Sequence, residues 1–118
     1  MIQGGILTSH NQKLILPHVL KTSSMAERMR GLLWHTPLKD DEGLLIQPCS
    51  SIHTIGMHYK IDALFLNKDL TIKKIFSHMK PYRFVMSFGA AMVLEILAGS
   101  AAKFELAENM KLQWELNK

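Results

Sequence analysis

Cys49, His53, His58 and Asp62 crowd into the twenty residues from Pro48 to Asn67, which hold the only cysteine and two of the six histidines. Thiol and imidazole suit zinc, but an ion needs its ligands within about 2 Å of itself. On a straight strand Cys49 and His53 share a face yet stand roughly 13 Å apart. His58 falls on the other face unless Gly56 makes a bulge. No two histidines are separated by a single residue, so no metal is expected. Ser50 and Ser51 sit in no Gly-x-Ser-x-Gly elbow. Cys49, following an apolar run, reads as a packed small side chain. With no glycine-rich phosphate loop or dinucleotide fingerprint, no cofactor is expected either.

Asp62 and Glu95 are the acids set into apolar strands. Asp62 has Leu64 and Leu66 on its parity, and Glu95 has Val93 and Leu97. A carboxylate there costs several kcal/mol unless it is paired or hydrogen-bonded. The expectation is that each is tied to backbone amides or to Arg28, Arg30 or Lys60. The competing reading makes them a polar pair facing a ligand, with His53, Thr54, Met57 and Arg30 as the other ligand-binding candidates.

The elements that must position these groups are mostly short strands. Residues 1–10 are ambiguous. Lys13 to Leu20 alternates but contains Pro17, which predicts an edge strand or two short pieces. Ser24 with Glu27 has capping-box spacing, and Met25, Met29, Leu32 and Leu33 follow at helical intervals, so a helix is expected to run up to Pro37. Leu44 to Ile46, Ser51 to Met57, Ile61 to Leu66, Leu70 to Phe76, Phe84 to Phe88, Met92 to Leu97 and Lys111 to Leu116 are strand candidates. Asn67-Lys68-Asp69 closes a hairpin between two of them. A turn or single helical turn is expected at Gly99 to Ala102. Together these predict a mainly β fold, a small antiparallel barrel or sandwich with one short N-terminal helix and no βαβ unit.

At 118 residues with 47% hydrophobic and 20% charged side chains, the chain fits one soluble domain, residues 1–118. No stretch approaches the ~18 apolar residues of a membrane-spanning helix. The N-terminus lacks the pattern of a signal peptide, so a cytoplasmic location is expected. The net charge of +4 is spread widely, with Lys73, Lys74, Lys80 and Arg83 as the nearest thing to a cluster. Nucleic-acid binding would want a continuous basic stripe with aromatics set into it, and is not expected.

Met29-Arg30-Gly31-Leu32-Leu33, Glu42-Gly43-Leu44-Leu45-Ile46, Pro48-Cys49, Ser51-Ile52-His53-Thr54, Gly56-Met57, Ile61-Asp62, Phe65-Leu66 and Val93-Leu94-Glu95 with Ala98-Gly99 recur in order. This pattern, over residues 23–116, resembles the domain-of-unknown-function family numbered 192. The resemblance implies a compact, mostly β domain with no established activity, in some members associated with envelope or pilus assembly. The chain departs from the family pattern at Ile55, His58, Tyr59, Lys60, Leu97 and Glu108-Asn109. The function expected is a non-catalytic module binding a small molecule or a protein partner. The alternative is a small enzyme or metal-dependent protein using His53, Asp62 and Glu95.

Overall fold

The computed structural model describes residues 2–22, 38–54 and 57–116. The helix expected from Ser24 to Pro37, with Arg28 and Arg30, lies outside the described residues, as do Ile55 and Gly56. The strands are β1 Ile2–Thr8, β2 Lys13–Thr22, β3 Glu42–Ile46, β4 Ser51–His53, β5 Ile61–Leu66, β6 Ile72–Met79, β7 Phe84–Met86, β8 Met92–Leu97 and β9 Leu112–Leu116. A single helical turn, α1 Ser100–Lys103, follows β8. It is the helix seen among the described residues, and it sits near the C-terminal end.

Seven strands form one sheet in the order β6-β5-β8-β3-β2-β1-β9, and β4 and β7 form a separate two-stranded sheet. Buried side chains separate into two clusters by strand parity. Leu45, Leu64, Leu66, Leu94 and Ile96 pack with Ile6 and Leu16. Leu44, Ile46, Ala63, Phe65 and Val93 pack with Ile52 and Met57. Every residue of β5 is therefore buried, which explains an apolar sequence broken only by Asp62. Each such side chain contributes about 1.5–3 kcal/mol by leaving water.

The hairpin expected around Asn67 is present as β5 and β6, with Leu64 opposite Ile75. Two expectations about β2 are corrected. It is an interior strand between β1 and β3, and it runs unbroken through Pro17. The register steps from Gly4↔Val19 to Ile6↔Leu16, so an extra residue bulges from β2 at the proline. On its other side β2 first pairs with β3 at His18↔Glu42, one residue beyond the proline. The missing N–H thus falls where neither neighbour needs it.

The second correction concerns direction. β2 and β3 pair in parallel, and among the described residues every other strand pair is antiparallel. Parallel neighbours need a crossover of a dozen residues or more, and the stretch between Thr22 and Glu42 supplies it. The outer edges of the sheet meet at one corner only. Thr71 bridges Lys111 there, and the Ile72 amide donates to the Met110 carbonyl at 2.8 Å. No further ladder joins β6 to β9 among the described residues, so the sheet is open along its length.

Candidate functional site

Asp62 is fully buried on β5. Opposite it, β6 steps from Ile61↔Met79 to Ala63↔Phe76, so β6 carries an extra residue there. His78 in this bulge has φ 51°, and its freed amide donates to Asp62 Oδ1 at 2.8 Å. Asp62 Oδ2 accepts from Gly99 at 3.0 Å and Ala101 at 2.9 Å, the amides that open α1. One carboxylate therefore fastens β5, the β6 bulge and the β8–α1 turn together. The amides come from these segments, not from the His58–Lys60 loop.

Glu95 is also fully buried, but it leaves the sheet on the other side. Asp62 lies opposite Ile96, whereas Glu95 lies opposite Ala63. Directly opposed residues share a face, so the two carboxylates do not converge. His53, Asp62 and Glu95 consequently form no common pocket. Among the described residues, no three His, Cys, Asp or Glu side chains gather closely enough to hold a metal. Cys49 is half-buried against the second core cluster, its Sγ directed at the Ser51 carbonyl at 3.0 Å.

His53, Thr54 and Met57 do come together, in the lobe built on β4 and β7. Met57 and Ile52 are its buried roots. Thr54, fully buried, is its clasp. Its Oγ1 donates to the Lys80 carbonyl at 2.7 Å and accepts the Arg83 amide at 2.8 Å. Its own amide donates to the Arg83 carbonyl at 2.8 Å, and its carbonyl accepts from Tyr82 at 3.1 Å. A β-branched hydroxyl residue suits this place because it packs like valine while answering both a donor and an acceptor.

The register puts His53 opposite Phe84 and Ser51 opposite Met86, with Val85 facing inward beside Ile52. Phe84 and Met86 therefore point away from the core, 64% and 54% exposed. Tyr82 at one end of β7 and Phe88 at the other are 65% and 90% exposed. Phe88 occupies the tip of the Ser87–Ala90 turn, which Gly89 closes with φ 84°. Among the described residues, four of the seven exposed large hydrophobics thus lie within 82–88, a cluster rather than scatter. Arg83 and Lys80 are exposed at the Tyr82 end, and the Lys73 ammonium donates to the Phe88 carbonyl at the other. Period-two alternation of these apolar residues was visible in the sequence. Which parity faces solvent was not.

Clefts elsewhere among the described residues include two with lysines in their lining. One of about 760 Å³, between the β1–β2 turn and residues 103–111, carries Lys13, Lys103 and Lys111 with Glu105. Lys103 is already paired with Asp40 at 3.2 Å. The other, about 630 Å³, is lined by Pro48, Cys49 and Lys68. Neither contains a residue singled out as a ligand-binding candidate.

An open, mainly antiparallel sheet with a small aromatic-faced lobe is the class of structure this chain defines. The chain belongs to the family DUF192 (Uncharacterized ACR, COG1430), whose pattern matches residues 6–114. Two solved structures are similar to it. One, from Sinorhizobium meliloti 1021, is described as "a putative transcription regulator"; it is 21% identical with a TM-score of 0.79, covering 96% of this chain and 92% of that one. The other, a protein of unknown function from Novosphingobium aromaticivorans DSM 12444, is 22% identical with a TM-score of 0.77, covering 95% and 84%. At such identities the likeness is one of fold. No curated protein matches the sequence.

Proposed function

We propose that this chain is a single-domain, non-catalytic binding module whose contact surface is the outward face of the β4–β7 lobe. The observation that carries the reading is the exposed row Tyr82, Phe84, Met86 and Phe88 on a lobe fastened from beneath by Thr54. Asp62 supports it from the other side, because its carboxylate is occupied by three backbone amides rather than turned toward a substrate. Of the ligand-binding candidates, His53 belongs to the contact face, and Thr54 and Met57 hold that face in place. The seven-stranded sheet serves as the rigid frame, curled toward a barrel by its corner contact. A cytoplasmic location is part of this proposal.

The test is a photo-crosslinking residue introduced in place of Phe88, with one at Glu115 on β9 as the control. Adducts are expected from position 88, and they should disappear when Met86→Asp is added. Equal labelling from both positions, or labelling indifferent to Met86→Asp, would show that the lobe is not the contact surface.

A further inference from the structure

The partner that this lobe fits is set by its charge. Residues 43–61 and 70–94, which contribute β4, β7 and the loops around them, contain no aspartate or glutamate. The same segments contain Lys60, Lys73, Lys74, Lys80 and Arg83. All ten acids of the chain lie outside them. Glu108, 3.8 Å from Lys74, is an acid that reaches these segments from outside, and the ground from which the apolar row projects is otherwise basic. We propose that the lobe is a peripheral docking element for an anionic lipid surface, a reading that rests on the lobe being the contact face.

The geometry agrees with such a surface. The row does not line a groove; it projects, with the phenyl ring at its turn tip 90% exposed. Cations stand at both ends, Lys80 and Arg83 beside Tyr82, and Lys73 beside Phe88. Apolar tips entering the acyl boundary would bring these cations to the level of lipid phosphates, each worth about fivefold in partition. Tyr82, amphipathic and at the cationic end, has the character of a residue that settles at the headgroup level. Among the described residues no helix is long and apolar enough to cross a membrane. Single-stranded nucleic acid also uses cations and aromatics, but it stacks bases on rings set along a charged groove. A row interrupted by Met86 and ending on a protruding turn is a poor platform for that.

Vesicle co-sedimentation decides the matter. The full chain is expected to bind vesicles of phosphatidylcholine containing about one-third phosphatidylglycerol, with much weaker binding to phosphatidylcholine alone and steady loss as salt rises. Phe84→Ser with Phe88→Ser should lower the partition at least tenfold. Lys80→Glu with Arg83→Glu should remove the preference for anionic vesicles. All four side chains are exposed, so unchanged thermal unfolding is the control for folding. In a separate protein, Phe88→Trp should add blue-shifted emission with anionic vesicles only. No binding to anionic vesicles at low salt would overturn the proposal, as would binding unaffected by the phenylalanine changes. Tight binding of a single-stranded oligonucleotide that needs Phe84, without vesicle binding, would overturn it too. If position 88 crosslinks through the apolar row to protein while vesicles are ignored, the lipid assignment falls and the lobe remains the contact face.

Discussion

Replacing Asp62 by asparagine keeps the side chain's shape and removes one of its two acceptors. The carboxylate takes the His78 amide on one oxygen at 2.8 Å, and the Gly99 and Ala101 amides on the other at 3.0 and 2.9 Å. An asparagine carbonyl can face only one of these groups. If it keeps Gly99 and Ala101, its NH2 is pressed against the His78 N–H, donor against donor. That leaves one amide unsatisfied in a fully buried place, a cost of about 1–3 kcal/mol. The two surviving bonds also lose their charge assistance. Against this, a neutral side chain is easier to bury. The net loss is expected to be about 2 kcal/mol, seen as a lower urea midpoint with an unchanged slope. Amide exchange adds the residue-level check, with His78 accelerating more than Gly99 or Ala101. An unchanged or raised midpoint would refute the reasoning and return Asp62 to the list of ligand-facing acids.

Gly4→Ala should be destabilising by about 1–3 kcal/mol, because its Cβ would stand 2.4 Å from the Trp114 ring and 2.5 Å from the Glu115 carbonyl; thermal unfolding followed by tryptophan emission checks it. Thr54→Val preserves volume but deletes the hydroxyl that serves Lys80 and Arg83. A loss of roughly 1–3 kcal/mol is expected, together with faster proteolysis confined to residues 78–90. Asp69 has its pKa lowered, first by its side-chain hydrogen bond with Thr71 and next by the Thr71 amide. Its contribution to stability is therefore present above the unfolded carboxylate's pKa and lost as pH falls through the lower folded value. Urea midpoints of the wild type and Asp69→Asn should differ at neutral pH and converge in acid; a difference that persists in acid would contradict this.

Much of the fold could be read from period and punctuation. Met92–Leu97 is the strand β8 with the bounds expected, and Asn67-Lys68-Asp69 turns between β5 and β6 as its composition predicts. The single helical turn after Gly99 is also where it was expected. The parallel course of β2 and β3 was hidden because alternation carries no direction; the length of the gap between them was the available clue. Pro17 misled because its missing donor is harmless at a bulge, and bulges come from strand pairing rather than from the strand's own residues. At the candidate site, the sequence indicated that a buried acid at position 62 needed partners. Its partners lie 16, 37 and 39 residues away, so only the fold could name them. Phe84 to Phe88 was expected as a strand and forms one over Phe84–Met86. Its outward parity carries the aromatics because Val85, across from Ile52, takes the inward place.

The pairing of β1 with β9 has a kinetic consequence. Gly4 lies opposite Leu116, so the earliest strand completes its ladder only against the latest one. Closing a loop of about 110 residues costs roughly 4 kcal/mol of chain entropy before any contact offsets it. Nucleation should therefore fall to the short-range β1–β2 and β5–β6 hairpins, with the β1–β9 seam zipping late. Until it does, β1 presents unpaired amides and carbonyls along one edge, and intermolecular strand addition competes with the intramolecular partner. Refolding yield should accordingly fall with protein concentration, more steeply for variants that slow the docking of Trp114.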